Sequence, residues 1–262
     1  MVIFKTQGVN GGVAITGVDA SSLGNATKLV IPSTIGRKRV VKINEGAFFG
    51  LCSLKNVVIS NGVQIIGKGA FFNCSSLTSA VIPDSVYVIN SGAFLECSSL
   101  TSVIIPNSVY PLGSSAFLGC SSLTSVVISN NIDTIVDLTF SGCSSINNVA
   151  IPDGTTTIGD FAFNDCSSLT NIILPNSIMK IGHRAFSGCS SLADVAIPKQ
   201  VLMILDYAFE GCSSLTKVVI PEKIRYIGSE AFKGCNVNLH VYKGSYAQQW
   251  ADENYYNYEV IQ

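Results

Sequence analysis

Apolar and polar positions in this chain follow one another in a block of 23 residues that repeats through most of its length. Laid over one another, the blocks read Leu-x-x-Val-x-Ile-Pro-x-Ser-Val-x-x-Ile-Gly-x-x-Ala-Phe-x-x-Cys-Ser-Ser. Phe48, Phe71, Phe94, Phe117, Phe163, Phe186, Phe209 and Phe232 each follow an alanine. Phe140, after Thr139, fills the remaining slot, so nine occurrences keep an unbroken period of 23. Within a block, Val103 and Ile105 alternate with Ser102 and Ile104, which predicts a short strand with one face inward. Pro106 ends it, because proline has no N–H to offer the next strand. Asn107-Ser108, Gly113 and Cys120-Ser121-Ser122 are corner residues. A second extended segment, 86–89 in the preceding block, carries its own inward pair.

A period between 20 and 29 residues is that of a leucine-rich-repeat solenoid. The expected fold is therefore mostly short parallel β-strands joined by turns and short 3₁₀ segments, in about nine rungs with a small C-terminal helix cap. One block cannot bury its apolar side alone, whereas parallel rungs about 4.8 Å apart bury it against both neighbours. The expected organisation is one continuous domain: an N-terminal cap and degenerate first repeat over 1–45, tandem repeats over 46–235, and a C-terminal cap over 236–262. The first cap holds a hairpin strand around Val13-Ala14-Ile15, then Leu29-Val30-Ile31-Pro32 and the basic loop Arg37-Lys38-Arg39. In the last, Ser245 caps a short amphipathic helix and Tyr258-Glu259-Val260-Ile261 closes the sheet edge.

The phrase Gly92-Ala93-Phe94-Leu95-Glu96-Cys97-Ser98-Ser99-Leu100-Thr101-Ser102-Val103-Ile104-Ile105-Pro106 resembles the BspA-like leucine-rich repeats. Tyr242-Lys243-Gly244-Ser245-Tyr246-Ala247 is similar to that family's C-terminal closure, and Leu29 to Pro32 resembles its first rung. The resemblance implies a non-enzymatic binding protein, typically on the surface of bacteria or other host-associated microbes, whose partners are host proteins. Against a cell-surface or secreted setting, the first residues show no charged segment followed by an apolar stretch of signal-peptide length. That favours the alternative of an intracellular scaffold.

Hydrophobic residues make up 47% and charged residues 13%, a composition that excludes a disordered chain. A net charge of -1 argues against nucleic acid as a partner, and no apolar run reaches the length of a membrane span. Cys74, Cys97, Cys120, Cys143, Cys166, Cys189, Cys212 and Cys235 form one column, with Cys52 one residue out of register. One cysteine per rung has no natural pairing partner, and no Cys-x-x-Cys pair suggests zinc, so the column reads as buried thiols. His183 and His240 lie far apart in repeat phase, and no nucleophile elbow or phosphate loop is present. No catalytic residue, metal site or cofactor is expected. Between Gly69 and Met179 there is no lysine or arginine, while Asp84, Glu96, Asp133, Asp137, Asp153, Asp160 and Asp165 all fall there. That reads as a solvated acidic side, and it argues against a polysaccharide-active β-helix enzyme.

If Val103 and Ile105 point inward, Ile104 points out. Its column runs Val58, Val81, Ile104, Val127, Ala150, Ile173, Ala196, Val219, beside the polar column Asn56, Ser79, Ser102, Ser125, Asn148, Asn171, Asp194, Lys217. Together they describe a nearly uncharged concave face, and a continuous exposed apolar strip marks an interaction site. A second pair of columns changes at every rung and brings Tyr87, Tyr110 and Tyr226 as contact anchors. The expected partner-binding residues are Val81, Ile104, Val127, Ile173 and Val219, with Ser79, Ser102, Ser125, Tyr87 and Tyr110. The expected partner is a protein, such as a host extracellular protein, or a glycan. Oligomeric state is not legible.

Overall fold

A computed structural model describes residues 2–262 as two compact units, one ending at Ile132 and the other spanning Asp133–Gln262. Each is a stack of β-solenoid turns with two strands per turn. In the first unit, the first strands of successive turns are Lys28–Ile31, Asn56–Ile59, Ser79–Val81, Ser102–Ile104 and Ser125–Val127, all parallel in one sheet. The second strands, Lys38–Ile43, Ile65–Ile66 and Val88–Ile89, form another sheet, which the antiparallel hairpin Phe4–Val9 and Gly12–Val18 extends at its N-terminal edge. Lys38 and Arg39, read from sequence as part of a loop, instead pair with Thr34–Ile35 in a tight hairpin turning at Gly36. Gly36 takes φ +62, which a two-residue turn tolerates best in glycine.

The second unit repeats the plan. Its second strands are Thr134–Ile135, Thr157–Ile158, Lys180–Ile181, Met203–Ile204 and Tyr226–Ile227. Its first strands are Asn148–Ala150, Asn171–Ile173 and Asp194–Val195 in one sheet, then Lys217–Val219, Asn238–Tyr242 and Tyr258–Ile261 in another. Five first strands in one unit and six in the other make about 11 turns. The count of nine rested on the Phe repeat alone; the cap strands Lys28–Ile31 and Tyr258–Ile261 pair in the same parallel manner and add turns of their own.

Register is one full repeat: Ser102 lies beside Ser125, and Asn148 beside Asn171. Every side chain therefore meets its own equivalent. The phenylalanines show what this does to the core. Phe48, Phe71, Phe94 and Phe117 stack with centroids 5.1–5.5 Å apart in the first unit. Phe140, Phe163, Phe186, Phe209 and Phe232 do the same at 5.3–5.5 Å in the second. All are fully buried. The helix Tyr246–Glu253 ends this column: Ser245 Oγ accepts from Gln248 N at its start, and it buries Ala247, Trp250 and Ala251. Trp250 stacks on Tyr256 at 5.0 Å, and both rings meet Phe232 edge-on.

Around each phenylalanine, backbone N–H groups alternate between the next turn and their own. Phe71 N donates to Ala93 O, then Phe72 N to Gly69 O. The short 3₁₀ segments expected here are thus single i→i+3 turns. Positive φ two residues before and two after each phenylalanine keeps them from joining into a helix. Before the ring, the first unit supplies Gly46, Gly69 and Gly92, with Ser115 before Phe117. The second instead holds Leu138, Phe161, Arg184, Tyr207 and Glu230 in this conformation, each costing about 1 kcal/mol or more.

Replacing Phe186 by alanine removes one ring from an unbroken stack and leaves a cavity between two others. Chemical denaturation should show a loss of about 3–5 kcal/mol, against under about 1 kcal/mol for Phe49→Ala at an exposed position. Equal losses would show that the stack is not what holds the second unit.

Candidate interaction surface

Most side chains that suggested chemistry in the sequence hold one turn to the next. The Cys74 thiol donates to Phe48 O at 3.1 Å, Cys97 to Phe71 O at 3.2 Å and Cys120 to Phe94 O at 3.3 Å. Cys166, Cys189 and Cys212 make the same bond at 3.2 Å to Phe140, Phe163 and Phe186. Among the described residues no cysteine is joined in a disulfide. Burial pushes the thiols of Cys74, Cys120 and Cys189 up to about 12 from the ordinary 9.0, and those of Cys97 and Cys166 also upward. A neutral thiol is a small apolar group with one weak donor, and here the donor meets a carbonyl.

Two of the carboxylates that suggested a solvated acidic side, Asp137 and Asp160, are engaged in the same way, as is Asp206 outside that stretch. Asp137 Oδ1 accepts from Asp160 N at 2.8 Å, Asp160 Oδ1 from His183 N at 2.9 Å, and Asp206 Oδ1 from Ser229 N at 2.8 Å. Each reaches the turn after its own. Hydroxyls reach back: Thr101 Oγ1 donates to Thr78 O, Thr124 Oγ1 to Thr101 O, and Ser108 Oγ to Val86 O. Among the described residues no three His, Cys, Asp or Glu side chains are placed to hold a metal ion. His183 sits between the rings of Phe161 and Tyr207, while His240 Nε2 lies 3.7 Å from Glu259 Oε2.

What remains free is the outward side of the first strands. In the first unit Val81, Ile104 and Val127 are exposed, Ile104 at 66%, and the parallel register joins them to half-buried Val58 and exposed Val30. Ser102 and Ser125 flank them in the exposed polar column, with Ser79 half-buried. Ala80 stands where the neighbouring turns have Val57 and Val103, and Ser102–Ser79 is the single paired position between strands Ser102–Ile104 and Ser79–Val81. The smaller side chain and thin pairing leave a cleft of about 270 Å³ lined by Ser79, Ala80, Val81, Ile82, Ser102, Val103 and Ile104. The second unit carries its own column, Ala150, Ile173, Ala196 and Val219, all exposed. It ends at His240 and Glu259, which occupy the same register.

The model of the BspA-type leucine-rich repeat region matches six copies in this chain, over residues 21–147 and 134–257. The chain belongs to the BspA-type leucine-rich repeat family. Solved structures agree with the fold. The leucine-rich repeat protein of T. pallidum is 25% identical, with 98% of this chain and 95% of that one covered, at a TM-score of 0.57. The pneumococcal vaccine antigen PcpA is 18% identical, covering 92% and 80%, at 0.54. A leucine-rich repeat protein from Eubacterium ventriosum is 20% identical, covering 81% and 59%, at 0.54. No curated protein matches this chain by sequence. The family and these structures are repeat proteins rather than enzymes, and no helix among the described residues is long and apolar enough to cross a membrane.

In this BspA-type chain the structure does not bring all the expected contact residues together. Tyr87 and Tyr110 are exposed, but they belong to the second-strand column, where Tyr110 N donates to Tyr87 O. Val81, Ile104 and Val127 lie on the first-strand sheet. The first unit therefore carries two separate sets. Val30 and Ile3, both exposed, were missed. Val30 was legible, since the alternation that turns Ile104 outward turns it outward too. Ile3 lies outside the repeat, where no such signal exists.

The thiol ladder makes a prediction with a sign. A thiol whose folded value is raised stabilises the native state below the unfolded value, and the contribution is lost as pH rises beyond it. Urea midpoints should hold steady from pH 7 to about 8.5 and fall above about 9. Cys97→Ala with Cys166→Ala should flatten that fall. At pH 8, a thiol reagent should modify exposed Cys52 quickly and the buried column only on unfolding. Fast modification of many thiols in the native protein would contradict the ladder.

Proposed function

We propose that this BspA-type protein is a protein-interaction module that captures its partner on the outward apolar column of the first-strand sheet, centred in the first unit on Val81, Ile104 and Val127. The observation that carries the reading is the exposure of large β-branched side chains at consecutive turns, flanked by serines and free of charge. Water gains by leaving such a strip, and serines at its border form hydrogen bonds without a large desolvation cost. Ile173, exposed to 59%, and Val219 form the corresponding column of the second unit. Tyr87 and Tyr110 are a secondary contact on the other sheet. The resemblance to BspA-like repeats supports an adhesin-like role with a host extracellular protein as partner, and a glycan is the alternative ligand.

A second reading is a scaffold in a reducing compartment. It is favoured by cysteines that form no disulfide among the described residues, most of them used as donors to carbonyls. Both readings use the same face, so one experiment separates them. Purified protein is tested for saturable capture of extracellular matrix proteins and, separately, of proteins from a lysate of its own source cell. Ile104→Asp with Val127→Asp should reduce capture at least about tenfold, since each buries a carboxylate in an apolar contact, while far-UV circular dichroism stays unchanged. Unchanged capture by the double variant would discard this face as the site. Capture confined to the lysate would favour the scaffold.

A further inference from the structure

The N-terminal end of the first unit carries a site that the repeat pattern does not account for. A cleft of about 640 Å³ opens there, lined by Val2, Ile3 and Phe4 on one side and by Lys28, Val30, Pro32, Thr34 and Ile35 on the other. Its walls are mostly apolar. Lys28–Ile31 is the outermost strand of its sheet, paired only with Asn56–Ile59. Thr27 O accepts from Asn56 N, and Ile31 O from Ser60 N. The alternation of a parallel ladder then turns Leu29 toward the sheet and leaves the N–H and C=O of Lys28 and Val30 facing away from it. Neither residue has a backbone partner on that side among the described residues. A strand edge of this kind takes a further strand, whose main chain satisfies its donors and acceptors.

Charge narrows what that strand is. Up to Lys68 the chain holds eight cations, Lys5, Lys28, Arg37, Lys38, Arg39, Lys42, Lys55 and Lys68, against only Asp19 and Glu45. The ion pairs among the described residues all lie in the second unit, so none of these eight is in one. Asp19 is itself held by Ser21 N and Ser21 Oγ. Three of the cations border the cleft. Lys28 lines it, and Lys38 and Arg39, both exposed, pair with Ile35 and Thr34 of its wall.

We propose that this cleft binds an extended acidic segment of a partner polypeptide, added as a strand to the free edge of Lys28–Ile31. On the outward face that Lys28 and Val30 share, an apolar side chain of the segment enters between Ile3 and Val30 and a carboxylate two residues along meets Lys28, with Lys38 and Arg39 at the border of the cleft. The free backbone groups favour a polypeptide over a lipid surface, which offers an apolar phase and negative charge but no matching row of amides. Val30 is also the first residue of the apolar column, so the site adjoins the proposed capture face without depending on it.

The test uses the full chain and a fluorescent peptide of repeated Val-Val-Glu-Glu, which as a strand shows valine and glutamate in turn on each face, followed by anisotropy. Binding is expected that weakens as salt rises. It should fall at least about tenfold when alternate peptide nitrogens are methylated, when lysine replaces glutamate, and in Lys38→Glu with Arg39→Glu or in Val30→Asp. All three positions are exposed, so circular dichroism should not change. Ile104→Asp should leave peptide affinity intact, which distinguishes failure here from failure of the capture face. Equal binding of the methylated or lysine peptide would overturn the proposal. So would binding to anionic phosphatidylserine vesicles, but not to the peptide, that Lys38→Glu abolishes. Self-association in sedimentation that Val30→Asp removes would assign the cleft to a second copy and equally overturn it.

Discussion

Everything in this protein depends on pairing each turn with the next at a shift of one full repeat. The ladder satisfies backbone groups that a lone turn would leave exposed, and it sets equivalent side chains about one strand spacing apart. Stacked phenylalanines at 5.1–5.5 Å are the direct result. So are the thiols, hydroxyls and carboxylates that reach a neighbouring turn. A residue type that works at one turn works at all of them, because its surroundings are copies of one another. Stability is then a sum of neighbour interfaces.

The same constraint gives reactive-looking residues a structural role. Cysteine occurs once per turn at a point where a small group with a single weak donor fits under a carbonyl, and burial keeps it protonated. Asp137, Asp160 and Asp206 occur where a carboxylate oxygen can meet the next turn's N–H. The proposed function rests on the positions that the ladder does not use. These are the outward side chains of the first strands and the ends, where a strand has one neighbour instead of two.

Ends obey different physics from the middle. At the C-terminal end Trp250 and Tyr256 close the aromatic column under a capped helix. At the N-terminal end the hairpin covers the second-strand sheet, yet the first-strand sheet stops at Lys28–Ile31 with a cleft and unpaired cations beside it. One sheet is closed by its own chain and the other is left open. That asymmetry is what separates a sealed edge from a candidate site.

By itself, the sequence determined the solenoid, the period, the buried Phe and Cys columns, the cap helix after Ser245 and the outward direction of Ile104. Periodicity suffices there, because in a parallel ladder the repeat length and the side-chain alternation leave one arrangement that buries the apolar set. Tertiary structure alone decided the rest. It set the second pair of columns, with Tyr87 and Tyr110, beside the second-strand sheet and away from Val81 and Ile104, a separation that the repeat showed in sequence but not in space. It also set Ile3 across a cleft from Val30 and paired Lys38 with Ile35, arrangements of segments outside the repeat that no internal copy could reveal.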